Sequence, residues 1–257
     1  AMGDAALVHE AARGASVLAG AGEWDLVAPP TMTGDEDNGK MLREQGYCVF
    51  PMGISRSKIV MMTEAMEHHL RVAPELSNRW RTAGMAADEA RPPTVLGGFA
   101  ACGLPSVFHA TPVRALRKVY DARVRSLLSS GSSGSWQQLP DRYMFRRAGQ
   151  SAVKEPGHRD VSPALAGGTR IFGGWINLDM ANQSAHLCPG THVTDAGGRT
   201  GFAPIGEAEQ AAFRRLKKRV VIPPGHAIIF EQQIVHFVNA SRAPHDMHRL
   251  FAGGVLY

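Results

Sequence analysis

His158-Arg159-Asp160 packs the most chemistry into the fewest residues of this 257-residue chain. In an extended segment, side chains two positions apart project from one face, so one strand end could present an imidazole and a carboxylate side by side. That donor pair suits a first-row divalent ion. A second imidazole would complete a two-histidine, one-carboxylate face with three coordination positions open, room for a bidentate 2-oxoacid and for O2. With 11 histidines and 23 acidic residues in the chain, one such pair is nearly expected by chance, so its weight comes from what accompanies it. The stretch from Gly225 to His236 reads as a turn, a buried strand and then a histidine, far enough along the chain for intervening strands to return to the site. His158, Asp160 and His236 are therefore the candidate metal ligands and catalytic centre. Arg249 stands at the start of the last expected strand. Its guanidinium can donate two parallel hydrogen bonds to a carboxylate where an ammonium cannot, which makes it the candidate anchor for 2-oxoglutarate.

These residues need strands to carry them. Short apolar segments at 47–51, 142–146, 171–178, 185–188, 220–222, 227–230 and 250–257 are separated by punctuation such as Pro189-Gly190 and Pro223-Pro224-Gly225 and read as β. Helices are expected near Lys40 to Gln45, after a Ser55 cap across Ile59 to Leu70, and from Pro112 to Leu128, where apolar residues recur at helical spacing. The chain should thus be mainly β, a sandwich or barrel of jelly-roll type with helical buttresses. Residues 1–36 read as a variable Ala/Gly-rich extension with a short helix from Ala5 to Val17, and 37–257 as a single domain. Between Arg71 and Gly103 the sequence looks irregular.

Composition narrows the partners. No apolar run approaches the ~20 residues of a membrane helix, and three widely spaced cysteines read as thiols, so a cytoplasmic, membrane-free monomer is expected. The net charge of +5 is compatible with an anionic small-molecule substrate. The basic residues are scattered rather than collected in a tract, which argues against nucleic acid; the cluster from Arg214 to Arg219 reads as a solvated helix face.

Taken together, Leu42 to Phe50, Gly157 to Asp160, Trp175 to Asp179, Pro189-Gly190-Thr191-His192, and Gly225 to His236 with Asn239, Ser241 and Arg249 resemble the phytanoyl-CoA dioxygenase-like Fe(II)/2-oxoglutarate oxygenases, in that family's order and over about residues 40 to 257. The resemblance implies a double-stranded β-helix (jelly-roll, cupin-like) core, with Fe(II) on His158, Asp160 and His236 and 2-oxoglutarate on Arg249. It also implies that Ser241 assists Arg249 and that Trp175 and Met144 line the cosubstrate pocket. Val238 stands where the family usually has its serine, so either Asn239 or Ser241 takes that role. Asp160 implies hydroxylation or desaturation, since related halogenases carry a small residue there. His192 reads as structural.

The primary substrate is not legible. The irregular Arg81 to Ser106 segment and the cations Arg146, Arg147, Lys154, Arg159 and Arg170 are its candidate determinants, and five cations around one mouth would favour an anionic group. Two rival readings remain, another cupin-type metalloenzyme that has no need of Arg249, and a non-catalytic module that binds metal or 2-oxoglutarate without turnover.

Overall fold

The computed structural model describes residues 34–72, 95–96, 99–103, 105–129, 134–152, 154–160, 169–194 and 203–257. The expected helix from Ala5 to Val17 and nearly all of the 1–36 extension lie outside the described residues, as does most of Arg81 to Ser106.

In chain order the helices are α1 (Asp35–Gln45), α2 (Arg56–Val72), α3 (Pro105–Phe108), α4 (Thr111–Ser129) and α5 (Glu207–Leu216). The strands are β1 (Tyr47–Pro51), β2 (Val95–Leu96), β3 (Phe99–Cys102), β4 (Trp136–Gln138), β5 (Arg142–Arg146), β6 (Ser151–Ala152), β7 (Glu155–Arg159) and β8 (Arg170–Asn177). They continue as β9 (Gln183–Leu187), β10 (Ala203–Pro204), β11 (Lys218–Ile222), β12 (His226–Glu231), β13 (His236–Val238), β14 (Ser241–Arg242), β15 (Met247–Phe251) and β16 (Gly254–Leu256). The major sheet runs β1-β12-β8-β15-β5-β3-β2, with β16 and β4 added beside β8. The minor sheet runs β10-β7-β13-β9-β11. Every pairing is antiparallel, the arrangement of a β-sandwich closed as a jelly roll.

Strand alternation divides the major sheet into two faces. Phe50, Tyr143, Phe145, Ile176, Ile229 and Leu250 turn outward and are buried under α1, α2 and α4, where Leu42, Met62, Met66, Leu116, Tyr120 and Val124 meet them. Inward, Trp175, Ile228 and Phe230 pack against Ala185, Leu187 and Ile222 of the minor sheet. The same inner face carries Met144, whose cluster includes Phe99, Ala101, Met247 and Phe251. α1 ends where Gly46 adopts φ 81° and donates to the Leu42 carbonyl at 3.1 Å, a left-handed conformation suited to glycine. Ser55 caps α2 by accepting from the Lys58 N–H at 3.3 Å.

Two features depart from the sequence reading. The stretch expected to be irregular contains β2 and β3, which extend the major sheet beyond β5. The expected last strand is two, because the Gly253 carbonyl turns aside to accept from the buried Arg117 guanidinium at 2.6 Å while Ala252 N–H bonds Gly174 O at 3.0 Å. A Cβ on Gly253 would lie 2.6 Å from the Phe172 carbonyl, so this break needs glycine. Among the described residues no helix is long and apolar enough to cross a membrane.

Candidate active site

His158 and His236 are direct cross-strand partners of β7 and β13. Their rings lie 4.2 Å apart between centroids, inclined by 61°. Asp160 follows β7, its backbone N–H bonded to Gln232 O at 3.0 Å. Its Oδ1 is 3.7 Å from His158 Nε2 and 3.5 Å from His236 Nε2, and one donor atom from each of the three residues lies within 4.8 Å of the others. The histidines are oriented from behind, His158 Nδ1 lying 2.9 Å from Pro156 O and His236 Nδ1 3.0 Å from Ile234 O. A carbonyl only accepts, so each Nδ1 is the donor and each Nε2 faces the cluster, the ring orientation a metal requires. Burial raises and the His236 hydrogen bond then lowers the Asp160 carboxyl, to a net position below its ordinary range, so the carboxylate is ionised and available to a cation.

A bulge brings a fourth group to this cluster. His236 pairs with His158 and Val238 with Glu155, so that Phe237 alone on one strand stands against Pro156 and Gly157 on the other. The extra residue turns Glu155 to the face of His158, with Oε2 3.9 Å from His158 Nε2. Burial raises the Glu155 carboxyl, the charge of Asp160 adding to the rise and those of His236 and Arg249 opposing it. Gln210 of α5 clamps the bulge, accepting from Gly157 N–H at 3.1 Å and donating to Gly157 O and Ile205 O at 3.0 Å. A Cβ on Gly157 would sit 2.7 Å from Phe237 Cζ.

Arg249 lies on the inner face of β15, opposite Met144 of β5 and Asn177 of β8. Its guanidinium carbon stands 3.8 Å from the Phe99 ring centre and 4.5 Å from that of Trp175. Burial, reinforced by the charge of Arg146, pushes its pKa down to about 9. Trp175 Nε1 is buried with no hydrogen-bond partner among the described residues, a donor that an oxygen-rich ligand beside the arginine would satisfy.

The structure thus brings His158, Asp160 and His236 together and sets Arg249, Trp175 and Met144 side by side on the facing sheet. Ser241 reaches this group through Arg146, whose Nη1 donates to Ser241 Oγ at 3.3 Å. Asn239 does not reach it; it bonds His186 Nε2 at 2.9 Å and accepts from Lys217 Nζ at 3.1 Å. The five cations are dispersed rather than gathered at one mouth. Arg159 is buried and holds Thr191 O, Gln233 O and Thr194 Oγ1, tying β7 to the turn before β13. Arg147 pairs with Asp246 at 2.5 Å, and Arg170 with Glu231 at 2.5 Å. His192 is structural in position, its Nε2 3.0 Å from the Arg43 carbonyl of α1. Sequence reading missed Glu155 because strict alternation would send it away from His158, and it missed Phe99 because β3 itself was not anticipated.

Neither a known protein family nor a curated protein matches the sequence. Solved structures match its fold. The non-heme alpha ketoglutarate dependent carbocyclase SnoK from nogalamycin biosynthesis aligns with a TM-score of 0.57 at 14% identity, over 86% of this chain and 83% of that one. AviO1 from Streptomyces viridochromogenes Tue57 gives 0.55 at 16% identity over 87% and 96%. EctD from S. alaskensis, solved with 2-oxoglutarate and 5-hydroxyectoine, gives 0.55 at 17% identity over 90% and 79%. At such identities the likeness is one of fold: the chain is a mainly β, double-stranded β-helix with helical buttresses. Inside that fold sits a two-histidine, one-carboxylate cluster facing a buried arginine.

Proposed function

We propose that the chain is a non-haem Fe(II)- and 2-oxoglutarate-dependent dioxygenase of the phytanoyl-CoA dioxygenase-like type, hydroxylating a C–H bond of a small molecule. The observation that carries this reading is the convergence of His158, Asp160 and His236 donor atoms within 4.8 Å on one sheet, opposite the buried Arg249 on the other. The donor set fits the ion: two imidazole Nε2 atoms already turned inward and one ionised carboxylate are the ligands that leave three positions open on iron.

When bound, iron with 2-oxoglutarate and O2 would supply the oxidising chemistry, one substrate C–H becoming C–OH while succinate and CO2 are released. The protein's own part is positional. His158 and His236 would hold the metal in the tautomer set by the Pro156 and Ile234 carbonyls, and Asp160 would supply the anionic ligand. Arg249, held between Phe99 and Trp175, would take the distal carboxylate of the cosubstrate. Met144 and Trp175 would wall that pocket and exclude water, and Ser241 would assist through Arg146. Asn239, engaged with His186 and Lys217, has no part in it. Since the five cations are dispersed, the case for an anionic substrate rests on the net charge of +5.

The test is an anaerobic titration of the metal-free protein with Fe(II) and then 2-oxoglutarate, following the visible metal-to-ligand charge-transfer band. Wild type is expected to develop the band, His158→Ala to lose it, and Arg249→Leu to require far more 2-oxoglutarate. Iron binding without any band would overturn the proposal in favour of another metalloenzyme. A band with no succinate release across a broad substrate panel would favour a binding module.

A further inference from the structure

Arg146 is a second buried guanidinium that neither the triad nor its arginine accounts for. It lies on the inner face of β5, two residues from Met144, and is 6% exposed. Its neighbours are neutral: Nη1 donates to Ser241 Oγ at 3.3 Å and Nη2 to the Met247 sulfur at 3.3 Å. Nε has no hydrogen-bond partner among the described residues, and none of those residues places a carboxylate within ion-pairing distance of it. A thioether and a hydroxyl are weak compensation for a desolvated cation.

Its position explains what could compensate it. The Arg146 guanidinium carbon is 4.8 Å from the centre of the Phe99 ring, and that of Arg249 is 3.8 Å from the same centre. The two cations therefore share one aromatic ring, and each raises the cost of burying the other. Glu155 offsets Arg249, but no carboxylate among the described residues offsets Arg146. Ser241, the hydroxyl assigned to assist Arg249, makes its bond to Arg146 instead. Met144 and Arg146 share one face of β5, Met144 opposite Arg249 and Arg146 opposite Met247, so Arg146 and Arg249 are diagonal neighbours across the β5–β15 pair. A carboxylate drawn to Arg249 would therefore meet the neighbouring Arg146 side chain on the same face.

We infer that Arg146 and Arg249 together form a two-guanidinium clamp for a single distal carboxylate, so that the site selects dicarboxylic 2-oxoacids. This rests on the proposed cosubstrate site and deepens it. Ser241 orients Arg146, Phe99 spaces the two cations, and the incoming carboxylate cancels charge that the fold leaves unbalanced. One arginine suffices to bind a carboxylate; two enlarge the share of affinity that the ligand's second negative charge supplies.

The test compares 2-oxoglutarate with 2-oxopentanoate, which has the same five carbons and no distal carboxylate. Dissociation constants would be measured anaerobically by calorimetry on the Fe(II)-loaded full chain, for wild type, Arg146→Met and Arg146→Lys. Arg146→Met is expected to weaken 2-oxoglutarate by about 10- to 100-fold, the worth of a charge-assisted hydrogen bond, and to leave 2-oxopentanoate unchanged. Arg146→Lys should recover part of the loss. Unchanged 2-oxopentanoate and iron binding by the variants also shows that they fold. Equal 2-oxoglutarate affinity in wild type and Arg146→Met overturns the clamp while leaving the oxygenase reading in place. Equal weakening of both oxoacids overturns it too, by showing a structural effect. Failure of wild type to bind either oxoacid overturns the oxygenase reading itself.

Discussion

Two residues at the candidate centre make their contribution through neighbours rather than through the metal. Glu155 is brought to His158 by the bulge in β7, and its negative charge acts on Arg249 as well. Glu155→Gln keeps the shape and removes the charge, so 2-oxoglutarate affinity is expected to rise about fivefold, a half-exposed charge being worth ~1 kcal/mol at most. Fe(II) affinity is expected to fall by a similar factor. Calorimetric titration of both ligands checks this, and loss of affinity for both would mean that Glu155 is needed to shape the site. Gly157 is the other. Because a Cβ there would lie 2.7 Å from Phe237 Cζ, Gly157→Ala must displace the Phe237 ring, which is next to His236 on β13. A loss of about 1–3 kcal/mol of stability is expected from such overpacking, with Fe(II) affinity falling more than in a matched surface glycine variant. Urea unfolding and metal titration on the same protein separate the two effects.

At the scale of elements, the buttress is joined to the sheet by one buried cation. Arg117 of α4 pairs with Asp141 at 2.8 Å, with Asp121 at 2.9 Å, and donates to Gly253 O at 2.6 Å. Arg117→Met would strand the fully buried Asp141, at a cost of about 3–5 kcal/mol, read as a lowered urea midpoint. Little or no change would mean that Asp141 protonates or finds water instead. A parallel tie, Arg123 to Asp35 at 2.5 Å, fastens α1 to α4 two residues ahead of the domain start expected from sequence. These ties mark where sequence reading was strong and where it failed. Helical spacing located α4 because its apolar positions all face one layer, and β5 was legible because its ends are bracketed by Pro and Gly. Pairing across strands leaves no local trace. Nothing near Gly253 announces that Arg117, 136 positions away, draws its carbonyl aside and divides the last strand, and nothing near Glu155 announces the bulge that turns it inward. The cluster of His158, Asp160 and His236 was legible because the first two stand two residues apart at the end of β7 and the third follows a buried strand. The setting of Arg249 was not, since Phe99 and Arg146 come from other strands.

For the whole molecule, the proposed cosubstrate site lies between two sheets: iron ligands on β7 and β13 of the minor sheet, the arginine on β15 of the major one. A ligand bound to the native state alone stabilises it by about 2.7 kcal/mol at a hundredfold excess over its dissociation constant. Fe(II) is therefore expected to raise the melting temperature of wild type, 2-oxoglutarate to raise it further, and Arg249→Leu to keep the first increment and lose the second, as a thermal scan would show. Apart from a few buried hydrogen bonds, such as Asn177 Nδ2 to Ile222 O at 2.8 Å and Gln183 Nε2 to His248 O at 2.9 Å, the sandwich interior between these sheets is held by side-chain packing, and packing slides more readily than hydrogen-bonded ladders shear. A dicarboxylate spanning that gap would act as a rivet. Amide hydrogen exchange in β13 and in β15 should then slow together when 2-oxoglutarate binds, and the two halves of the barrel should breathe as one body while the cosubstrate stays and separately after it leaves.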